Sequence, residues 1–597
     1  MSNRFPSPFE IEGPADVEGW EELYPYSSSF SDYRREYEDN RFWFWDSMHW
    51  GQALTPWDST FMEVALASLS QMNSRHYRIP PADGVDFRVL YGYAYLSPVG
   101  VDPANIEARV PQFMERAGHY FGNWDSLYDN WLDKVKTTIT EIESIDFRPL
   151  PEMEELEVVT EGLGFGSGYQ LQSEYNRFKD LILKAWNYHF EFLNLGYAAY
   201  LDFFGFCKEA FPSIPDLGIA KMVDGVEVDL FRPNEELKVL AQKAVDLGIA
   251  RAFDDPDNVS LDGAAGVEWQ AAWDAVKDPW FNFTSGNGFY HFDKIWVENP
   301  EIPYAFIRDY IEKIEAGADI SRPIEAIREE RDRVVSEYRD LLGSDEDREA
   351  FDGKLGLARV VFPYVENHNF YIEHWTMSVV WRKLKELGAT LETDGLLAAA
   401  DDLLFLRRDE VNELLWDYYS NWAVNSPTAA KAHWGPIVTR RREIHAKLSK
   451  WQAPKALGEP PEVITEPFTI MLWGITSESV NNWLGADGDS PDNELTGMAA
   501  SPGTVEGAAR VIFGPDEIGD LEEGEILVAP ITAPSWAPVF PRIQACVTDI
   551  GGMMSHAAIV CREYGVPAVT GTGFGTDTIK TGDRIRVDGS TGKVTIL

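Results

Sequence analysis

Thr548-Asp-Ile-Gly-Gly-Met-Met-Ser-His556-Ala-Ala-Ile-Val-Cys-Arg562-Glu-Tyr-Gly-Val-Pro-Ala-Val569 passes from a strand-like run through two glycines into a short helix headed by a histidine. Ala545-Cys-Val-Thr548 has the pattern of a buried strand. Gly551-Gly552 reads as a turn with open backbone N–H groups, and Ser555 stands at the N-cap of an Ala-Ala-Ile-Val helix. A histidine at this place lies in the field of a helix N-terminus, where unpaired N–H groups and the helix dipole favour an anion. Its imidazole is mostly neutral near pH 7, so a ring nitrogen is available as nucleophile. A dianionic phosphoryl group on that nitrogen would be met by the Gly551 and Gly552 amides, Ser555 or Arg562. Taken by itself, His556 reads more readily as a helix-start histidine that caps or packs.

The neighbouring sequence weighs against that plainer reading. Gly497-Met-Ala-Ala-Ser501-Pro-Gly503-Thr-Val-Glu-Gly507-Ala-Ala-Arg510, Gly524-Glu-Ile-Leu-Val-Ala-Pro530, Pro534-Ser-Trp536-Ala-Pro538-Val-Phe540 and Gly582-Asp583-Arg-Ile-Arg-Val-Asp588-Gly589 surround the motif. Together they resemble the swivelling phosphohistidine domain of the phosphoenolpyruvate-utilising enzymes, which include phosphoenolpyruvate synthase, pyruvate phosphate dikinase and rifampin phosphotransferase. The resemblance covers the stretch from Gly497 to Leu597 and includes the ordered Thr-x-x-Gly-Gly-x-x-Ser-His-x-Ala-x-x-x-Arg signature. It implies that His556 is phosphorylated during turnover, that Thr548 and Ser555 flank the ring, and that Arg562 clamps the phosphoryl group.

The 597 residues are enough for several domains, and 44% apolar and 13% aromatic content suffices for sizeable cores. The N-terminus lacks the basic segment and apolar run of a signal peptide, and no apolar stretch reaches the ~18 residues of a membrane span. A soluble, cytoplasmic protein is expected. Cys207, Cys546 and Cys561 form neither a disulfide framework nor a zinc spacing, and no metal ligand set is assigned. A net charge of −46 argues against nucleic acid, whose phosphates such a surface would repel.

Along the chain, amphipathic helical segments are predicted at Ile106–Glu143, Ser173–Phe211, Tyr304–Leu342, Tyr364–Leu387 and Asp409–Ala423. Gly485-Ala-Asp-Gly-Asp-Ser-Pro-Asp-Asn reads as a linker, after which short Val/Ile-rich strands alternate with Gly-rich turns. The expected architecture is therefore multidomain. A large, mainly α-helical acceptor-binding body spans 1–483, a hinge 484–496, and a small α/β swivelling phosphohistidine domain 497–597.

Leu54-Thr-Pro56-Trp-Asp, Gly92-Tyr-Ala-Tyr95 and the segment Leu387-Gly-Ala-Thr-Leu391 to Asp409-Glu410-Val are similar to elements of the central region of the same enzymes. Neither a nucleotide-binding ATP-grasp domain nor a phosphoenolpyruvate barrel is recognisable. The Gly-rich loop Gly162-Leu-Gly164-Phe-Gly166-Ser-Gly168 lacks the Lys-Ser/Thr ending of a phosphate-binding loop. An acceptor body with a phosphohistidine carrier and a detached ATP module resembles the larger subunit of phenylphosphate synthase and of related alkylphenol-phosphorylating enzymes. The resemblance implies a separate ATP-grasp subunit that uses ATP and Mg²⁺ to charge His556, and transfer from His556 to a phenolic hydroxyl. Another hydroxyl acceptor, such as an antibiotic or a pyruvate-like molecule, and a non-catalytic phosphocarrier remain as alternatives.

An acceptor site needs a base near neutrality, since a phenol has a pKa of about 10. The densest candidate is Tyr364-Val-Glu366-Asn367-His368-Asn369-Phe-Tyr371-Ile-Glu373-His374-Trp375. On an α-helix Glu366, Asn369 and Glu373 share one face with His374 at its flank, whereas His368 and Trp375 lie on another. These groups could also be a solvated face and a satisfied core histidine. His189, inside an aromatic helix, and His49, between Met48 and Trp50, are the next candidates.

Overall fold

The computed structural model describes residues 4–464, 466–485 and 493–597. They form two compact units. One comprises Met1–Phe113, Ser126–Glu191 and Thr376–Pro461, and the other Met114–Asp125, Phe192–Trp375 and Glu462–Leu597. This division crosses the chain several times and does not follow the boundary expected near residue 484. Among the described residues no helix is long and apolar enough to cross a membrane.

The first unit contains a sheet that the sequence reading does not anticipate. Strands β1 (Phe42–Trp45), β2 (Ala82–Leu90), β3 (Tyr93–Gly100) and β4 (Ala456–Gly458) run antiparallel in the order β2-β3-β1-β4. Tyr91 and Gly92 join β2 to β3 with φ of 48° and 88°, the handedness that a two-residue hairpin turn requires. Helix Pro56–Gln71 packs on β2, and Ser70 Oγ both donates to the Val85 carbonyl and accepts its N–H. The Thr-Pro element is the start of that helix. Thr55 Oγ1 accepts the Asp58 N–H, the Asp58 carboxylate accepts the Thr55 N–H, and Pro56 opens the first turn.

In the second unit helix Leu193–Ala210 packs along helix Asp345–His368, with Gly196 seated against Val365. Several predicted helices are broken where the sequence carries stop signals. Tyr304–Leu342 resolves into Glu301–Glu315 and Ile324–Asp340, separated by Gly317 at φ 76° and by Pro323. Ile106–Glu143 divides at Asn123, and Ser173–Phe211 divides at Phe190–Phe192. Helix Asp345–His368 runs into a π-helical stretch, Asn369–Thr376.

The C-terminal part is a mixed sheet of β5 (Glu494–Thr496), β6 (Met498–Ser501), β7 (Thr504–Val511), β8 (Ile526–Ala529), β9 (Ala545–Thr548), β10 (Ala568–Thr570), β11 (Arg584–Asp588) and β12 (Lys593–Ile596). Their order is β5-β12-β11-β7-β8-β9-β10-β6, with β7 to β10 parallel. The central strands are buried on both faces, so they read as continuous apolar runs. Ala509, Ile526, Val528, Val547, Val569, Ile585 and Val594 are among the residues of the core. Most of the expected hinge, residues 486–492, lies outside the described residues. Its last three residues are β5, which pairs with β12 and so belongs to the sheet.

Candidate functional site

β9 leads through Gly551 and Gly552 to Ser555, the N-cap, and His556 is the first residue of helix His556–Tyr564. Gly565, in the left-handed region at φ 67°, ends that helix. His556 is half-buried with its ring nitrogens inside: neither has a hydrogen-bond partner among the described residues, and the Ser555 Oγ beside it has none either. Burial pushes the imidazole down to about 3, so the ring is neutral over the physiological range. A neutral ring keeps a lone pair, and neither nitrogen is engaged by the protein.

The surroundings differ from the expected cradle. Gly551 N–H donates to the Trp473 carbonyl at 3.3 Å, Gly552 N–H to Leu472 at 2.8 Å and Met554 N–H to Met471 at 3.3 Å. The glycine amides are thus occupied by backbone carbonyls, because buried donors must be paired. This close approach excludes side chains. A Cβ on Gly552 would collide with the Met471 carbonyl, and one on Gly474 would lie 2.6 Å from the Gly551 carbonyl.

Arg562 is anchored through Nε and Nη1, whereas its Nη2 is buried without a hydrogen-bond partner among the described residues. Its Nε donates to Asp224 at 3.1 Å, and its Nη1 donates to the carbonyls of Ala500 and Met553 at 3.3 and 3.1 Å. Its side chain and that of Asp224 are buried together, and burial raises the Asp224 carboxyl while Arg562 opposes the rise. The next two residues of the helix also engage this unit. Glu563 accepts the Gly225 N–H at 3.0 Å, and Tyr564 Oη accepts from Asn234 at 3.0 Å. Thr548 donates to the Ile550 carbonyl at 2.9 Å, and its own carbonyl receives Thr572, which ties down the turn.

Among the sequence candidates, His374 has its pKa affected by His556. Burial, with His556 as the second cause, pushes its pKa down to about 3. Its ring stacks on Phe283 at 4.0 Å, its Nδ1 lies 2.8 Å from Thr284 Oγ1, and its Nε2 has no partner among the described residues. Glu366 is buried with Oε2 unpartnered. Burial pushes its carboxyl up to about 8, with Arg562 opposing and Glu563 and Glu373 adding to the rise. Burial, Glu366 and Glu373 also raise the Tyr197 phenol.

The face division expected for an α-helix does not hold. His368 Nε2 lies 3.9 Å from Glu373 Oε1. In the π-helical stretch residues five apart stack on one side, whereas α-helical geometry separates them. His368 Nδ1 donates to the Tyr364 carbonyl at 3.2 Å, so Nε2 is the nitrogen turned to Glu373. Trp375 packs on Phe370 and Tyr371, and its indole N–H has no partner. His189 and His49 belong to the other unit. There His49 Nδ1 pairs with Asp46 at 2.8 Å, and His189, in tilted contact with Trp186 and Phe190, is lowered by burial and then by His49.

The sequence reading missed the hairpin Phe281–Val297, which carries Thr284. Its ladder includes Trp296 N–H to the Phe283 carbonyl and Ser285 N–H to the Lys294 carbonyl. Gly288, at φ 85°, sits so close to the Glu373 carbonyl that any Cβ would collide with it. The cluster Thr284-Ser-Gly-Asn-Gly288 between aromatic runs is the signal that could have marked this hairpin as a polar turn against an apolar background.

A histidine at the first turn of a helix, reached from a parallel strand through paired glycines, defines a class of domain. Residues 521–592 match the family described as PEP-utilising enzyme, mobile domain. Among individual proteins, the chain is 30% identical over 305 residues to an uncharacterized phosphotransferase of Bacillus subtilis, covering 51% of this chain and 34% of that one. It is 31% identical over 310 residues to a rifampicin phosphotransferase of Streptomyces sviceus, covering 51% and 32%. It is 52% identical over 102 residues to a probable phosphoenolpyruvate synthase of Staphylothermus marinus, covering 17% and 12%. The chain spans about a third of the length of the first two relatives.

Proposed function

We propose that this protein is a phosphotransferase that relays a phosphoryl group through His556 to the hydroxyl of a phenol or similar aromatic alcohol. The observation that carries the reading is a half-buried, neutral His556 whose two ring nitrogens are buried and unengaged among the described residues, within the electrostatic reach of His374. In the charging step a ring nitrogen attacks phosphorus, the P–O bond to the donor breaks with its electron pair leaving on that oxygen, and the ring loses a proton. ATP with Mg²⁺ at the ATP-grasp site of a partner subunit would supply the phosphoryl group. In the transfer step the acceptor oxygen attacks phosphorus and the P–N bond breaks, its electron pair returning to the ring. The hydroxyl proton leaves through the Glu366 carboxylate, and the ring regains one proton. Glu366 suits the task because its raised pKa, about 8, approaches that of a phenol more closely than an ordinary carboxylate does. The aromatic flank of Phe283 and Trp375 suits a flat acceptor. Charging and delivery at different places require the C-terminal domain to change position between them, a gating step in the cycle.

The test uses the chain alone, with an aryl phosphate and labelled free phenol. Exchange of label into the ester, lost in His556→Ala, is expected. Exchange that persists in His556→Ala contradicts the relay, and absence of exchange across several phenols overturns the phenolic acceptor. The identity with a rifampicin phosphotransferase favours a second reading, in which the same relay serves the hydroxyl of an antibiotic.

A further inference from the structure

We propose that Thr284 is a positioning residue. It holds His374 in the tautomer with its proton on Nε2, and that N–H meets the oxygens of the phosphoryl group borne by His556. The inference rests on the relay proposed above and adds a role that the motif around His556 does not contain.

The tautomer follows from the donors available. Thr284 N–H reaches His374 Nδ1 at 3.3 Å, and a backbone N–H can only donate. Nδ1 must therefore present a lone pair. The Thr284 hydroxyl lies between two acceptors, His374 Nδ1 at 2.8 Å and the Gly286 carbonyl at 3.3 Å, and the shorter contact directs its proton to the ring. A neutral imidazole with Nδ1 accepting carries its hydrogen on Nε2. That N–H is buried and has no partner among the described residues. Buried donors are paired in nearly all native sites, so an unpaired one indicates a ligand acceptor. The Thr284-Ser285 dipeptide that orients the ring also receives Ser535 from the domain carrying His556, and His556 lowers the His374 pKa beside burial, which points to an acceptor on that imidazole.

This geometry also fixes what His374 does not do. With Nδ1 engaged and Nε2 protonated, the ring offers no lone pair to a hydroxyl, so it is a donor and proton removal falls to Glu366. A preorganised N–H directed at phosphoryl oxygens stabilises the charge spread over them in the loose transition state of phosphoryl transfer. The hairpin that carries Thr284 is held from two sides. Gly288 rests on the Glu373 carbonyl, and its N–H donates to Asp293 at 2.9 Å. The next residue, Ser285, receives the Ser535 hydroxyl at 2.6 Å on its carbonyl. Ser535 precedes β9 in the domain that carries His556, so one dipeptide both contacts that domain and orients His374.

The experiment uses the full chain, the aryl phosphate–phenol exchange, and ¹⁵N-histidine-labelled protein in which the His374 signals are identified by their loss in His374→Gln. Thr284→Val is expected to lower kcat for exchange about tenfold or more, with KM for the aryl phosphate unchanged, and Thr284→Ser is expected to restore it. The His374 nitrogens are expected to report Nε2–H with unprotonated Nδ1 throughout pH 5.5–8.5, with mixed tautomers in Thr284→Val. A protonated Nδ1 in the unmodified chain, or exchange by Thr284→Val at the unmodified rate, overturns the assignment. The tautomer measurement requires no acceptor and decides the matter even if no phenol exchanges. If His556→Ala exchanges normally, the relay itself fails; if it does not while Thr284→Val does, only the role of Thr284 fails.

Discussion

The turn Thr548–Arg562 and the stretch Glu366–Trp375 lie in the same unit and both bear on the His556 imidazole, but they acquire their geometry differently. In the turn, strand, glycines, N-cap and helix follow one another directly, and Thr548 closes on Ile550 two residues away. The opposing stretch takes its decisive contact from Thr284, ninety residues earlier, and its shape from a π-helical register that no local pattern announces. The difference is between a helix-start histidine, which a short motif can position, and its surroundings, which require tertiary packing. Each of the following changes tests one side of that contrast.

The largest effect is expected from His556→Ala, which should abolish exchange between aryl phosphate and labelled phenol while leaving the thermal transition unchanged. Glu366→Gln comes next. General-base catalysis contributes about 10²–10⁴-fold, so exchange should fall by that order at pH 9 and much less at pH 6, where the carboxyl is already protonated. The sign for stability is opposite. A folded-state pKa raised to about 8 favours the folded protein fully below the ordinary carboxylate range, and the advantage is lost as pH rises through about 8. Urea titrations between pH 5 and 9 should therefore show a decline in the unmodified chain that Glu366→Gln flattens.

Asp224→Ala tests how the carrier helix is held. It leaves the buried Arg562 guanidinium without its carboxylate and should cost about 3–5 kcal/mol in denaturant unfolding. Phe283→Leu removes the stacked ring beneath His374 and should cost ~0.5–1.5 kcal/mol. A loss in Phe283→Leu as large as that in Asp224→Ala would erase the distinction between a pinned helix and a merely packed wall.

The legibility of each part follows from where its information lies. Ala545–Thr548, Ser555 and His556 stand in the order in which they act, so strand, cap and nucleophile can be placed from composition and spacing. Gly551, Gly552 and Arg562 were legible as special residues but not in their partners. Those partners are the carbonyls of Met471–Trp473 and the carboxylate of Asp224, which only the folded chain brings near. The Glu366–Trp375 cluster was found by its density of polar groups among aromatics. Its faces do not follow an α-helical period, because the chain adopts a wider turn there. The N-terminal sheet escaped because β4 lies more than three hundred residues from β3 and contributes three residues. In the sequence, Thr284 is an ordinary threonine until His374 is placed beside it.

The central claim is that His556 is a neutral nucleophile that carries the phosphoryl group. The most direct measurement charges the intact chain with potassium phosphoramidate, quenches in alkali and maps acid-labile phosphate by peptide mass spectrometry across pH 5–8. The account predicts phosphate on the peptide containing His556, absent from His556→Ala, at a rate that does not follow an imidazole titration near pH 6.5. Phosphate confined to other histidines, or labelling that titrates with a pKa near 6.5, would contradict it.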